Sequence, residues 1–240
     1  MTEALFWGGV AASTLLLGAV IAYVASPSRR VIAVVMAVGS GLLLGSVAYE
    51  LVGDALETQS LDSVALLLLL GAGVFTVGDW IIDRRGGAER KDPSGEQQTG
   101  SPLAIVLGSV LDGIPESFVL GLTVLQGGVS VGLLVAVGLS NLPEGMSSSS
   151  GLDAAGWPRR TVILMWLAVI AVSAISAALG YAILGAEGER TGALAQAFAG
   201  GALLAMLADT MLPESYAVEG VFTGPLVVAG FAVALALAAL

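Results

Sequence analysis

The sequence contains no cysteine and no histidine among its 240 residues. Disulfides, thiolate chemistry, imidazole metal ligands and histidine-based acid–base catalysis are therefore excluded. Charge is also scarce, because Asp, Glu, Lys and Arg make up 12% of the chain, and with 9 basic residues the net charge is −10. Any binding chemistry must use oxygen atoms, above all those of carboxylates.

Long apolar runs dominate the chain, since 56% of the residues are hydrophobic, whereas a soluble domain is about a quarter charged. Each run is close to the length of about 20 residues that a membrane-spanning helix needs. The runs are too long and continuous for barrel strands, which leaves helices as the structure that satisfies the backbone in lipid. The sequence predicts an all-α polytopic membrane protein, a single transmembrane domain over 1–240 with eight spans near 5–25, 31–52, 62–82, 102–125, 129–150, 161–184, 192–213 and 221–240.

The basic residues predict how the chain is oriented. Eight of the nine fall after the first, third and fifth runs, namely Arg29, Arg30, Arg84, Arg85, Arg90, Lys91, Arg159 and Arg160. Short loops rich in Lys and Arg stay cytoplasmic, so both termini are expected outside. Residues 84–100 are polar and Gly-rich, which predicts a flexible cytoplasmic linker. With no basic residue before the first run, a cleavable signal is not expected, and we expect a multi-pass protein of a cell membrane, the bacterial inner membrane in particular.

A short sequence motif occurs twice in the middle of the chain. Asp112-Gly-Ile-Pro-Glu-Ser is followed 28 residues later by Ser140-Asn-Leu-Pro-Glu-Gly. A weaker repeat relates the second span to the seventh, where Gly41-Leu-Leu-Leu-Gly and Gly201-Ala-Leu-Leu-Ala are offset by 160 residues. In both cases the two helices are predicted to run in opposite directions. Inverted repeats of this kind are typical of secondary transporters, which predicts a 3+2+3 bundle.

The repeated motif places carboxylates inside the predicted membrane interior. Burial of each carboxylate there costs several kcal/mol unless it faces a water-filled cavity or pairs with another group. Asp112 and Glu116 are four residues apart, as are Ser140 and Glu144, so each pair lies on one helix face. Asn141 lies close to the second pair. The alternative, a protonated glutamate bonded to a neighbouring helix, explains neither the repetition nor the prolines that accompany it.

Pro115 and Pro143 strengthen the prediction of a cation site. A proline inside a helix removes the hydrogen bond to the carbonyl four residues earlier, which frees the oxygens of Leu111 and Leu139. Two such helices face to face would surround one point with oxygen atoms, which suit a metal ion. The oxygens would come from two or three carboxylates together with amide, hydroxyl and carbonyl groups.

These motifs resemble the paired His-Asn-x-Pro-Glu-Gly motifs on the fourth and fifth spans of the ZIP family of divalent metal-ion transporters. The eight-span layout, the linker after the third span and the external termini are similar to that family as well. The resemblance implies that the transported metal is bound by Asp112, Glu116, Ser140, Asn141 and Glu144, which are the predicted metal ligands. The chain departs from the family where Asp112 and Ser140 replace both histidines and Gly113 replaces an asparagine, so we expect a site that is less selective for zinc.

Four further carboxylates are candidates for a transport pathway. Glu50 and Asp54 lie near the predicted outer end of the second span, and Asp209 and Glu214 near the predicted inner end of the seventh. They would line the entrance and the exit for a cation. Ordinary helix-end carboxylates in the headgroup region are the alternative.

The predicted function is a transporter, not an enzyme, that moves a divalent cation such as zinc, manganese or iron toward the cytoplasm. The metal is the substrate and no cofactor is expected. The expected partners are the cation and the lipid bilayer, with no nucleic acid, and a homodimer is left open. One alternative is a ZIP-like scaffold or sensor that does not transport. An intramembrane hydrolase is less favoured, because the motifs offer neither a histidine nor a defined nucleophile.

Overall fold

The computed structural model describes residues 1–87, 102–125, 128–187 and 189–238, and in this part of the chain the regular structure is entirely helical. This confirms the all-α class. Of the predicted linker, residues 88–100 lie outside the described residues. The helices are α1 (Thr2–Ala25), α2 (Arg29–Ser46), α3 (Asp54–Thr58), α4 (Leu61–Ile82), α5 (Pro102–Leu125), α6 (Val131–Ala154), α7 (Arg159–Glu187), α8 (Glu189–Met206), α9 (Leu212–Glu219) and α10 (Thr223–Ala238).

Among the described residues, six helical stretches are long and apolar enough to cross a membrane: Thr2–Ala25, Arg29–Thr58, Leu61–Gly87, Leu103–Val124, Arg159–Ile183 and Thr191–Ala238. The last of these contains both the seventh and the eighth predicted spans, which are divided at Gly220, where φ is 56°. Helix α6 is not among the six, because its motif and the serines at 147–150 lower its hydropathy. Several helices thus suit a membrane, while the count of eight spans stays a prediction.

Serine side chains begin three of the helices. The Oγ of Ser28, Ser60 and Ser130 each accepts a hydrogen bond from a backbone N–H in the first turn of α2, α4 and α6 respectively. Such caps satisfy donors that a helix start leaves open and contribute about 1 kcal/mol each. Together with the left-handed Ser26 after α1, they set where the chain turns between apolar runs.

Four pairs of helices form the closest contacts: α1 with α6, α5 with α7, α2 with α10, and α4 with α8. This set of pairs is unchanged when α1 is exchanged with α7, α2 with α8, α4 with α10, and α5 with α6. The weaker contact of α2 with α6 becomes that of α8 with α5 under the same exchange, and both occur. The first half of the chain and the second therefore pack in equivalent ways.

Each of the four pairs crosses at two glycines, one on each helix. A Cβ atom on any of these glycines would overlap a backbone carbonyl oxygen of the partner helix. Small residues allow this close approach where lipid supplies no hydrophobic force between helices. The crossings are Gly18 with Gly145, Gly121 with Gly180, Gly41 with Gly230, and Gly71 with Gly201.

Helices α2 and α8 widen into π-helix at matching places. The π-helical turns Val47–Gly53 and Leu207–Met211 follow α2 and α8, and their first residues are 160 positions apart, as Gly41 and Gly201 are. Turns of this type often occur at functional sites. Glu50 lies within the first and Asp209 within the second.

Ion pairs and ring contacts identify one end of the bundle, which we call the arginine end. Arg30 at the start of α2 pairs with Glu219 at the end of α9 at 3.0 Å. Arg159 at the start of α7 pairs with Asp153 at 3.1 Å and lies 4.8 Å from the ring of Tyr23 near the end of α1. The loops after the first and fifth predicted spans thus share this end. Its position on the cytoplasmic side stays a prediction.

Candidate cation site between α5 and α6

Both motif prolines lie inside continuous helices, Pro115 in α5 and Pro143 in α6. The Leu139 carbonyl, which Pro143 deprives of its intrahelical donor, faces Gly39 of α2. A Cβ at Gly39 would lie only 2.7 Å from that carbonyl oxygen. The absence of a side chain at this position therefore lets the α2 backbone approach a backbone oxygen that has lost its helical partner.

The five predicted ligands are all buried. The exposed fractions of Asp112, Glu116, Ser140, Asn141 and Glu144 are 2%, 2%, 1%, 3% and 3%. An ionised carboxylate at such a depth is costly unless it is paired or coordinates a metal ion. None of the five faces the surface of the bundle, which is the burial expected of residues that act inside it.

A hydrogen bond joins the two motifs directly. The Oγ of Ser140 on α6 donates to Oε1 of Glu116 on α5 at 3.0 Å. The same hydroxyl lies 2.9 Å from the carbonyl oxygen of Val137. Because a serine hydroxyl has one proton, it can donate to only one of these acceptors at a time. When the proton turns to Val137, a lone pair of Ser140 becomes available beside the Glu116 carboxylate.

Asn141 is held at the contact between α6 and α1. Its amide Nδ2 donates to the carbonyl oxygen of Ala11 at 3.5 Å, a long bond. Its position, about 100° around the helix from Ser140, points it toward α1 rather than toward the Glu116 side. Its amide oxygen is the atom that could bind a cation, and its place among the ligands stays a prediction.

In the described part of the chain, no three side chains among Asp, Glu, His and Cys lie close enough together to hold a metal ion. The motifs therefore do not form a cage of three carboxylates in this structure. Glu116 and Ser140 are brought into contact, whereas Asp112 and Glu144 as ligands stay a prediction. A transporter needs weak, reversible binding rather than a permanent cage.

An open cavity of about 730 Å³ lies at the end of the bundle opposite the arginine end, and we call this the Glu50 cavity. Glu50 is half-buried and Asp54 is exposed. The structure thus brings the two predicted entrance carboxylates into one cavity. Ser130, the N-cap of α6, donates a hydrogen bond to Glu50. The polar residues that line the cavity are Tyr49, Glu50, Asp54, Thr123 and Ser130.

The two predicted exit carboxylates lie elsewhere. Asp209 is exposed within its π-helical turn, and Glu214 is half-buried in α9. Glu214 precedes Glu219, which pairs with Arg30, so this carboxylate is near the arginine end. The role of both residues in an exit route stays a prediction.

A polar face runs along α5 from the Glu50 cavity toward the arginine end. Thr123, Glu116, Asp112 and Ser109 follow one another at spacings of seven, four and three residues, which keeps them on one side of the helix. All four are buried, and Thr123 lines the cavity. The motif carboxylates are therefore part of a longer polar strip.

Helix α6 carries a matching strip. Glu144 follows Ser140 by four residues, and Ser147 and Ser148 follow Glu144 by three and four. All of them are buried. Ser109, Ser147 and Ser148 are not among the residues predicted from the sequence, although their helical spacing to the carboxylates is a usable signal. No comparable signal existed for Ser130, which meets Glu50 from 80 positions away.

No family model matches this sequence, and no curated protein matches it either. The resemblance to the ZIP family therefore rests on the residues of the two motifs and on the helical layout.

Proposed function

We propose that the chain is a ZIP-like transporter that moves a divalent cation through the bundle between α5 and α6. The observation that carries the proposal is the hydrogen bond from Ser140 to Glu116. It joins the two Pro-Glu motifs at a buried point, on helices that each contain a proline. A packing role alone would not require that each motif also carry a buried glutamate, Glu116 in the first and Glu144 in the second.

The helix pairs support an inverted repeat. Exchange of the two halves preserves the contacts between helices, and the glycines and π-helical turns of α2 and α8 share an offset of 160 residues. We infer a 3+2+3 arrangement of eight spans in which α5 and α6 are the central pair. Transport would require one group of helices to rock against the other around the central site.

The Glu50 cavity supplies the entrance in this proposal. Two carboxylates in one cleft concentrate cations from solution. From Glu50, the buried Ser46 lies one turn deeper on the same face of α2. Gly39 continues that face and contacts α6 beside Ser140. A cation would therefore pass along α2 from the cavity to the Glu116–Ser140 contact.

Ser140 has a direct part in loading the site. In the empty site its hydroxyl donates to Glu116, which stabilises the carboxylate. On arrival of the cation the proton turns to the carbonyl oxygen of Val137, and the Ser140 oxygen joins Glu116 as a ligand. Glu144 and Asp112 would add charge as the site closes, and Asn141 would add its amide oxygen.

The donor atoms favour a broad range of divalent ions. Carboxylate, carbonyl and water suit Mn²⁺ and Mg²⁺, whereas zinc prefers nitrogen and sulfur. We propose that the site takes Zn²⁺ together with Mn²⁺ or Fe²⁺. With the arginine end in the cytoplasm, movement from the Glu50 cavity is uptake, and we propose the inner membrane of a bacterium as the location.

Ion uptake into proteoliposomes tests the proposal. Glu116→Gln and Glu144→Gln keep the shape of the side chain and remove its charge. Loss of one member of a buried ionic group costs several kcal/mol. Each variant should therefore reduce Mn²⁺ or Zn²⁺ uptake to about a tenth or less of the wild-type rate. Asp62→Asn is the matched control, because Asp62 is an exposed carboxylate at the start of α4, and its uptake should be normal.

Near-normal uptake by either glutamine variant would contradict the site. If the purified wild-type protein binds the ion but does not carry it across the membrane, the scaffold or sensor alternative is favoured instead.

A further inference from the structure

Three serine hydroxyls are buried without a hydrogen-bond partner among the described residues: that of Ser46 on α2, which lies one turn from Glu50, and two on the motif helices α5 and α6. Ser109 on α5 is 1% exposed and Ser148 on α6 is 0% exposed, and the Oγ of each lacks a partner there. A buried hydroxyl that makes no hydrogen bond destabilises a protein, and natural structures seldom retain one without a reason.

Several other buried serines in the bundle do form hydrogen bonds. Ser149, the neighbour of Ser148, is equally buried, and its Oγ accepts a hydrogen bond from Nε1 of Trp166 at 2.9 Å. Ser176 of α7 donates to the carbonyl oxygen of Ile114 at 3.0 Å, and Ser40 of α2 bonds to its own helix. The hydroxyls of Tyr23, Ser46 and Thr223 also lack a partner, so the property is shared by a few hydroxyls and is not general to serine in this fold. On the motif helices α5 and α6, the described residues that show it are Ser109 and Ser148.

The two hydroxyls occupy corresponding places relative to the carboxylates. Ser109 precedes Asp112 by three residues on α5, and Ser148 follows Glu144 by four on α6. Because the end of α5 borders the Glu50 cavity and the end of α6 borders the arginine end, the two helices are antiparallel. Both serines thus lie one turn from a motif carboxylate, on the side of the arginine end.

We propose that Ser109 and Ser148 line the route by which the cation leaves the Glu116–Ser140 site toward the arginine end. The partners that these hydroxyls lack within the protein are water molecules and the passing hydrated cation. A neutral hydroxyl binds a divalent ion more weakly than a carboxylate does, so the ion moves from strong to weak ligands as it is released. This inference rests on the proposed function and adds the exit to it.

Cysteine labelling tests the exit route, and the chain has no native cysteine. Ser109→Cys, Ser148→Cys and the matched control Ser149→Cys are reconstituted and treated with 2-aminoethyl methanethiosulfonate, a small cationic reagent, from the side of the arginine end. The first two should react about tenfold faster than the control, because thiol reactivity needs access to water. Excess Mn²⁺ should slow them. Rates equal to that of Ser149→Cys would overturn the inference.

Alanine variants supply a second test that does not depend on labelling. Ser109→Ala and Ser148→Ala remove an unpaired buried hydroxyl, so thermal stability should be unchanged or higher. The uptake rate should nevertheless fall about threefold or more, since loss of one hydrogen-bonding ligand is worth roughly that factor. A serine that serves packing alone would give the same stability and unchanged uptake.

The two proposals fail in different ways. Unchanged uptake in both alanine variants, with active wild-type protein, would overturn the exit route and leave the transport proposal standing. Absence of uptake by the wild type would overturn transport itself, whereas the labelling rates would still report whether water reaches Ser109 and Ser148.

Discussion

Loss of the Ser140 hydroxyl should weaken the empty protein by an amount that depends on Glu116. The Ser140→Ala variant removes the bond of 3.0 Å to the Glu116 carboxylate, at a position where neither residue meets solvent. A buried hydrogen bond to a charged group is worth about 1.5–3 kcal/mol, and one between neutral groups about 0.5–1.5 kcal/mol. Ser140→Ala should therefore cost more in the wild type than in Glu116→Gln, by about 1–2 kcal/mol.

The assay is a double-mutant cycle on metal-free protein in detergent, with thermal unfolding followed by tryptophan fluorescence. For a chain of this size each kcal/mol shifts Tm by about 2–4 °C, so Ser140→Ala alone should lower Tm by about 3–12 °C. Ser149→Ala is the matched control. It loses a bond of 2.9 Å to the neutral Trp166 indole, and its cost should be the same with or without Glu116→Gln.

Additive effects of Ser140→Ala and Glu116→Gln, within about 0.5 kcal/mol, would refute the reasoning. That result would mean that the Ser140 hydroxyl donates to Val137 throughout and does not stabilise the Glu116 carboxylate. The proposed change of acceptor during loading would then have no basis. Coupling that disappears when Mn²⁺ saturates the site would instead support it.

The remaining predictions concern packing, selectivity and orientation. A Cβ added by Gly71→Ala would overlap the backbone of α8, so this variant should lower stability in detergent by about 1–3 kcal/mol. A Cβ added by Gly73→Ala has nothing within 4 Å, so that variant should be neutral or stabilising. Equal effects of the two variants would contradict the α4–α8 crossing. Asp112→His should shift competition for uptake toward Zn²⁺ over Mn²⁺, because imidazole suits zinc, and an unchanged ratio would argue against Asp112 as a ligand. A cysteine that replaces Ser94 should resist an impermeant thiol reagent in intact cells, whereas one that replaces Thr2 should react. Equal labelling of the two positions would contradict the predicted orientation.

The all-helical class and the local arrangement of the motifs could be predicted from the sequence alone. Apolar runs of this length leave helices as the structure that satisfies the backbone, and the helices found begin and end close to those runs. The spacing of Asp112 to Glu116 and of Ser140 to Glu144 placed each pair on one face, because helical periodicity is a local property. The burial of all four residues agrees with that expectation.

Which helix faces meet could be learned from the packed fold but not from the sequence. The contact of Glu116 with Ser140, the anchoring of Asn141 on Ala11 and the bond of Ser130 to Glu50 join residues 24, 130 and 80 positions apart. No local pattern specifies such partners, since they depend on how glycine crossings let helix backbones approach. The same packing left the Ser109 and Ser148 hydroxyls without partners in the described protein. A hydroxyl's lack of a partner depends on every helix around it, and a sequence read one segment at a time does not contain that information.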